Sequence, residues 1–193
     1  MPSPAKKIAF NSVMIALAAV FSHIENLFPI SLGVPGVKLG LANIVILFAL
    51  YVFGLPTAAA ISLIRVLLVS FLFGNPASAL YSLAGAAASL LFMAGLQKTG
   101  KFSIIGVSMG GGVIHPAAQL AVAIAVSGTP ALLAYLPVLI LTGLAAGSLS
   151  GIAAWQILTR LLPIWRRQYG PLHSPLSGEK AAPDTSSPER HGS

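Results

Sequence analysis

Acidic side chains are almost missing from this sequence: its first 178 residues contain Glu25 alone, against nine lysines and arginines. Charged residues make up 8% of the chain, whereas a soluble domain has about a quarter. Hydrophobic residues reach 56%, and the mean hydropathy is +0.88. A chain with so little charge is expected to lie in a lipid bilayer, and each ionisable group inside that bilayer becomes a candidate for function.

Other absences exclude whole classes of chemistry. Cysteine is absent, which excludes disulfides and thiolate metal sites. The sequence has no phosphate-binding loop, so ATP-driven work would need a separate ATPase. The net charge of +7 does not indicate a nucleic-acid partner, because the basic residues lie in short segments between apolar runs and form no single patch. We therefore predict a protein that is not an enzyme and that binds no metal, cofactor or nucleic acid.

Glycine and proline divide the apolar sequence into spans, because glycine ends one helix and proline begins the next. The clearest breaks are at 54–56, 74–76 and 128–130. At about 20 residues per span, the fold class is all-α, a polytopic membrane protein with six transmembrane helices in one domain, 1–169. A tail rich in proline and serine, 170–193, is expected to be disordered in the cytoplasm. The predicted spans are 8–28, 39–54, 57–73, 77–97, 103–126 and 131–162. The second and third are short for a bilayer of about 30 Å, so they either tilt little or are shielded by neighbours.

Basic residues predict the orientation of the bundle. Lys38 is the single basic residue in the loops opposite the N-terminus. Because positive charge is retained on the cytoplasmic side, we expect both termini in the cytoplasm. Seven basic residues flank the spans on the N-terminal side: Lys6, Lys7, Lys98, Lys101, Arg160, Arg166 and Arg167.

Small residues at four-residue spacing predict close helix contacts. Gly143, Gly147 and Gly151 share one face of the last span, and most such stripes pack helices within their own bundle. A second stripe, on the first span, leaves two interpretations open: a contact within the bundle, or a docking face for a partner protein. Its members are Ala5, Ala9, Ser12 and Ala16.

Polar residues in two spans are candidates for a site. Arg65 lies in the middle of the third span, where exposure to lipid costs at least about 2.5 kcal/mol, so its side chain is expected to face the bundle interior or a wet cavity. It is either a structural residue, satisfied by carbonyls or by Glu25 about 10 Å further along the bundle, or a ligand-binding residue. His115 and Gln119 share a face of the fifth span. Three consecutive glycines precede this face, and Pro116 lies within it. Together they predict a kink or a local opening of the helix. A single histidine there more often bonds a neighbouring helix than a metal.

A further polar cluster surrounds the connection between the first two spans. His23, Glu25 and Asn26 end the first span, and Asn43 begins the second. Tyr81 and Ser82, at the start of the fourth span, are expected to border the same mouth. The glycine-rich connection is either a lid over a cavity or an ordinary loop, and composition slightly favours the loop.

One nine-residue string, Pro-Gly-Val-Lys-Leu-Gly-Leu-Ala-Asn at 35–43, resembles a bacterial family. That family is described both as heptaprenyl diphosphate synthase component I and as the Gx transporter family. The resemblance extends over residues 5–165 and includes Arg65, 81–86 and the region of His115. The family's usual motif in the fifth span is His-Asn-x-Gly-Gln, and two of its positions differ here, at Pro116 and Ala118.

The family's fold resembles the six-helix S component of energy-coupling factor (ECF) transporters, which implies a substrate cavity that opens outward. It also implies that the first-span stripe contacts a membrane coupling subunit, that separate ATPase subunits hydrolyse ATP, and that the protein lies in the bacterial cytoplasmic (inner) membrane, in contact with membrane lipid. The substrate-binding residues expected from the polar pattern and the resemblance together are Glu25, Lys38, Asn43, Arg65, Tyr81, His115 and Gln119.

Two functions are consistent with this sequence. The first is capture of a small solute for uptake, and the solute is expected to be anionic because Lys38, Arg65 and His115 give the cavity positive potential. The alternative is a non-catalytic membrane accessory in heptaprenyl diphosphate biosynthesis. Catalysis itself is not expected, because condensing prenyl diphosphates requires several carboxylates to hold Mg²⁺, and the membrane region has one.

Overall fold

The computed structural model describes residues 4–27, 40–73 and 76–169, and these ranges are helical almost throughout, with no strand. This confirms the predicted all-α class. Five helices are long and apolar enough to cross a membrane, and one apolar helix is shorter. The loop that contains Lys38 and the predicted tail, 170–193, lie outside the described residues. The helices are α1 (Pro4–Leu27), α2 (Leu41–Phe53), α3 (Leu55–Phe73), α4 (Pro76–Thr99), α5 (Ile104–Ser127) and α6 (Leu136–Tyr169), with a 3₁₀ segment (Pro130–Tyr135) before α6.

The helix boundaries follow the glycine and proline breaks. Gly54 and Gly128 end α2 and α5 with φ of 84° and 63°, a backbone conformation that glycine adopts at no steric cost. Pro76 and Pro130 are the first residues of the next helical segments, where a missing N–H removes no intrahelical bond. The predicted spans match the observed helical segments to within about four residues, except that α6 continues to Tyr169, beyond the predicted end at 162.

The short helix α2 is the central element of the bundle. Its 13 residues rise only about 20 Å, which is less than the thickness of the hydrocarbon layer. Nine of the 13 are buried, including every residue from Val45 to Val52, and α2 packs against α1, α3 and α6. Of the two explanations for a short span, shielding by neighbouring helices is therefore the correct one for α2.

Helices α5 and α6 meet through their backbones along the glycine stripe. A Cβ on Gly147 would lie 2.7 Å from both the Cα of Met109 and the carbonyl oxygen of Ser108. A Cβ on Gly151 would lie 2.9 Å from the Cα of Ile105. No real side chain fits at these distances, so this stripe packs helices within the bundle, as its spacing predicts.

The small-residue stripe of α1 behaves differently. Ala5, Ala9, Ser12 and Ala16 are all exposed, and the Ser12 hydroxyl donates to the Ile8 carbonyl oxygen of its own helix. A contact within the bundle therefore does not explain this stripe. Its face is open to lipid or to another protein.

The two ends of the bundle are filled to different extents. At the end that contains the N-terminus of α1, here called the closed end, the Phe10 ring lies 5.1 Å from the Phe53 ring and 6.4 Å from the Phe48 ring. The Gln97 side-chain amide donates to the Leu50 carbonyl oxygen at 3.4 Å. The opposite end, next to the 28–39 connection, is called the cavity end.

Candidate binding site

A cavity of about 130 Å³ occupies the cavity end, and all six helices contribute to its wall. The helices alternate in direction, so the C-terminal halves of α1, α3 and α5 meet the N-terminal halves of α2, α4 and α6 there. Most of the lining residues are small, and many carry hydroxyl groups. The hydroxyl-bearing residues are Ser22, Ser62, Ser70, Ser82, Ser89, Thr142 and Ser150.

Arg65 supplies the positive charge of the cavity. Its Nη1 donates to the Ser22 hydroxyl at 2.8 Å, while its Nε is buried and has no hydrogen-bond partner. A guanidinium has five N–H donors, and a buried charge is costly unless it is paired and hydrogen-bonded. Arg65 therefore keeps donor capacity that the described protein groups do not use.

Glu25, the one carboxylate among the described residues, is bonded to backbone. It is 8% exposed, and its Oε1 accepts a hydrogen bond from the Leu41 amide at 2.6 Å. Leu41 is the first residue of α2, and Gly40 before it supplies no side-chain cap. A carboxylate at this position satisfies an orphan N–H and the positive end of the helix dipole. Glu25 of α1 thus caps α2.

This arrangement decides how Arg65 is held. Glu25 and Arg65 both line the cavity, but their hydrogen bonds go to different groups, Leu41 N and Ser22 Oγ. Neither a carbonyl nor the Glu25 carboxylate supplies the described contact of the guanidinium; a serine hydroxyl does. An anion in the cavity would provide the acceptors that Arg65 lacks.

Asn43 belongs to a buried polar network at the wall of the cavity. Its Nδ2 donates to the Ser108 hydroxyl at 3.2 Å, and the Ser108 and Ser150 hydroxyls lie 3.0 Å apart. The network joins α2, α5 and α6. Because these groups satisfy one another in a buried setting, they fix the relative positions of the three helices.

His115 lines the cavity and packs against α4. A Cβ on Gly85 would lie 3.1 Å from the His115 Nε2 and 2.8 Å from the Gln119 Cγ, so Gly85 is what allows this side of α5 to approach α4. Gln119 itself is not among the residues that line the cavity.

Pro116 does not interrupt α5, which is helical from Ile104 to Ser127. The helix is therefore not opened at this position, and the other expectation, a kink, stays a prediction. Proline removes the hydrogen bond to the Gly112 carbonyl, but that carbonyl oxygen lies against Gly143 of α6. Because the backbones of Gly112 and Gly143 are in close contact, α5 has no room to open at this point.

The expected set of substrate-binding residues divides into two groups. Glu25, Asn43, Arg65 and His115 line the cavity. Tyr81 and Gln119 line a separate groove of about 420 Å³ between α4, α5, the 3₁₀ segment and α6. Lys38 lies outside the described residues.

Of the serines that line the cavity, sequence reasoning named Ser82 and missed the others, although a signal for two of them exists. Ser22 precedes Glu25 by three residues, and Ser62 precedes Arg65 by three. Residues at this spacing share a helix face. Each rare charged residue in these spans therefore marks a face, and the hydroxyls on that face are candidates for the same site.

Residues 14–157 match a protein family that is described as heptaprenyl diphosphate synthase component I. The chain belongs to this family. No curated protein and no solved structure matches it significantly. The matched region of the component I family includes all the residues that line the cavity. The resemblance to ECF S components stays a prediction.

Proposed function

We propose that this protein is a non-catalytic membrane subunit that captures a small anionic solute for uptake, with ATP hydrolysed by partner subunits. The observation that carries the proposal is the state of Arg65. It is a cation at bilayer depth, with a buried Nε that has no partner and with the nearby carboxylate of Glu25 bonded to the Leu41 amide. An anion supplies both the charge and the acceptors that such a group requires.

The size and lining of the cavity favour a small solute. Its volume of about 130 Å³ is below the roughly 300–1,000 Å³ of sites for drug-sized ligands. Its serine hydroxyls can donate to carboxylate or phosphate oxygens. These properties support a solute with few atoms around its anionic group.

The direction of capture follows from charge. Lys98 lies in the last turn of α4 and Lys101 in the connection to α5, both at the closed end. By the positive-inside rule the closed end faces the cytoplasm, so the cavity end faces outward, as uptake requires. In this proposal the membrane is the bacterial inner membrane, and both termini are cytoplasmic.

The α1 stripe is the proposed contact for a membrane coupling subunit. Ala5, Ala9, Ser12 and Ala16 are exposed and small, which lets a partner helix approach closely. The ATPase subunits would bind the complex on the cytoplasmic side.

The test measures binding of defined anions to the purified protein in phosphatidylcholine nanodiscs. Acetate, succinate and inorganic phosphate are compared with the neutral acetamide by isothermal titration calorimetry. We expect at least one anion to bind and Arg65→Gln to weaken it by about 10- to 100-fold, because hydrogen bonds to charged groups contribute about 1.5–3 kcal/mol. Arg160→Gln, at an exposed position of α6, removes the same charge outside the cavity and should bind like the wild type.

Two results would oppose the proposal. Wild-type affinity in a folded Arg65→Gln protein would remove Arg65 from the site. Failure of every anion to bind, together with co-purification of a soluble prenyltransferase, would favour the accessory role that the family description suggests. Native mass spectrometry of the purified protein tests both the solute-capture and the accessory role, since it detects bound small molecules and subunits.

A further inference from the structure

The groove beside the cavity has the character of an apolar binding surface. Leu120 and Leu139 form its buried wall, and Ala123 and Leu132 extend it towards the surface. Tyr81, Tyr135 and Gln119 place polar atoms along it. At about 420 Å³, the groove is larger than the cavity that holds Arg65.

The groove lies directly beside the cavity. Ser82 of α4 and Pro116 of α5 line both spaces. Gly85, one turn after Tyr81, has no side chain to widen this contact, and a Cβ there would lie 2.8 Å from the Gln119 side chain. The two spaces therefore meet at Ser82 and Pro116, between α4 and α5.

The two spaces differ in charge. The residues that line the groove carry no formal charge, whereas the cavity contains Arg65 and Glu25. A ligand that fills both spaces must place its charged group in the cavity and its apolar part in the groove. This division matches an amphiphile with one anionic end.

We propose that the solute is an amphiphilic anion with a single apolar chain, whose anionic group binds at Arg65 and whose chain lies in the groove formed by Leu120, Ala123, Leu132 and Leu139. The inference rests on the proposed function and specifies its substrate class. It also gives Tyr81 and Gln119, which do not line the cavity, a position along the chain of the ligand.

The test is a chain-length series on the full protein in phosphatidylcholine nanodiscs. Acetate, butanoate, hexanoate and octanoate are titrated, and binding to empty nanodiscs is subtracted. We expect affinity to rise about fourfold per methylene, as for transfer of apolar surface out of water. Ala123→Phe fills the groove and should abolish the increment while leaving acetate binding unchanged. Ala121→Phe adds the same bulk at an exposed position of the same helix and should keep the increment.

A second variant covers the case in which Ala123→Phe does not fold. Leu132→Ser removes apolar surface from the 3₁₀ segment without adding bulk, and it should reduce the increment per methylene without affecting acetate. Retained acetate binding reports that each variant is folded.

Each remaining outcome has one meaning. If acetate binds in an Arg65-dependent manner but affinity is independent of chain length, the amphiphile is wrong and the proposed function stands. If no carboxylate binds the wild type, the proposed function fails, and the amphiphile with it. Equal increments in the Ala123→Phe and Ala121→Phe proteins would exclude the groove. Loss of octanoate binding when phosphatidylglycerol is added to the nanodiscs would assign the groove to a membrane lipid instead.

Discussion

The closed end and the cavity end are built from the same six helices but are filled by different side chains. At the closed end, aromatic rings and large aliphatic residues such as Phe10, Phe53 and Leu50 occupy the interior. At the cavity end the same helices present serines, glycines and Arg65. Helices that meet through large side chains leave no space between them, whereas small polar side chains leave a cavity and line it with hydrogen-bonding groups.

This difference places large-side-chain packing at one end of the bundle and the cavity at the other. Lipid gives apolar side chains no reason to associate, so contact between well-fitting surfaces must hold the helices together. The closed end and the α5–α6 glycine contact provide that fit. The cavity end carries the charged residues, whose burial is costly.

The largest effect is expected from Gly147→Leu, which forces α5 and α6 apart. Even a Cβ at this position would lie 2.7 Å from the backbone of Met109, and a leucine adds three further carbons. We expect the free energy of unfolding to fall by more than about 3 kcal/mol, measured by SDS-induced unfolding in mixed micelles. Gly95→Leu is the control, because a Cβ on Gly95 meets nothing within 4 Å. Equal losses in the two variants would show that the α5–α6 contact is not what holds the bundle.

A matched pair on α2 compares the two ends directly. Leu50 is 1% exposed and lies in the closed end, while Ile46, one turn earlier, is buried but lines the cavity. Leu50→Ala should lower the free energy of unfolding by about 2–3 kcal/mol, because it creates a new cavity in a filled region. Ile46→Ala removes the same number of atoms beside an existing cavity and should cost less. Thermal unfolding in detergent measures both, and the comparison fails if Ile46→Ala proves the more costly.

The smallest effect is expected from Glu25→Gln, which removes the carboxylate that caps α2. The Leu41 amide keeps an oxygen acceptor, so we expect a loss of only about 1 kcal/mol in the free energy of unfolding. Because the cavity also loses its negative charge, the affinity for a bound anion should rise severalfold. Titration of the same anions used for Arg65 checks this, and a lower anion affinity would show that Glu25 helps to hold the ligand.

Sequence reasoning succeeded where a single residue type has one physical meaning. Gly54 and Gly128 were predicted to end helices because their backbone conformation excludes most residues, and they do so. Arg65 was predicted to face the interior or a wet cavity because lipid does not solvate a guanidinium, and it lines the cavity. The glycines of α6 were predicted to pack against another helix because small residues at four-residue spacing let two backbones approach closely, and they contact α5.

The same reasoning does not extend to results that depend on how helices are rotated against one another. Tyr81 and Gln119 were grouped with Arg65, and the structure places them in the groove beside the cavity. In a soluble helix the polar face indicates the outside, but here the lipid-facing and buried faces are both apolar. The sequence pattern therefore does not report which face of α4 or α5 points into the cavity.

The sequence by itself determined that this protein lies in a lipid bilayer and that it is helical. It also determined the boundaries of the helices and the presence of one basic residue at bilayer depth. These follow from composition and from local backbone chemistry. Only the tertiary structure decided that Glu25 caps α2, that a serine hydroxyl is the described hydrogen-bond partner of Arg65, and that an apolar groove lies beside the cavity. The Glu25–Leu41 bond joins residues 16 positions apart, and the Arg65–Ser22 bond joins residues 43 positions apart. No local rule specifies such contacts. They exist because close packing of α5 on α6 and of α2 on its neighbours fixes which faces meet.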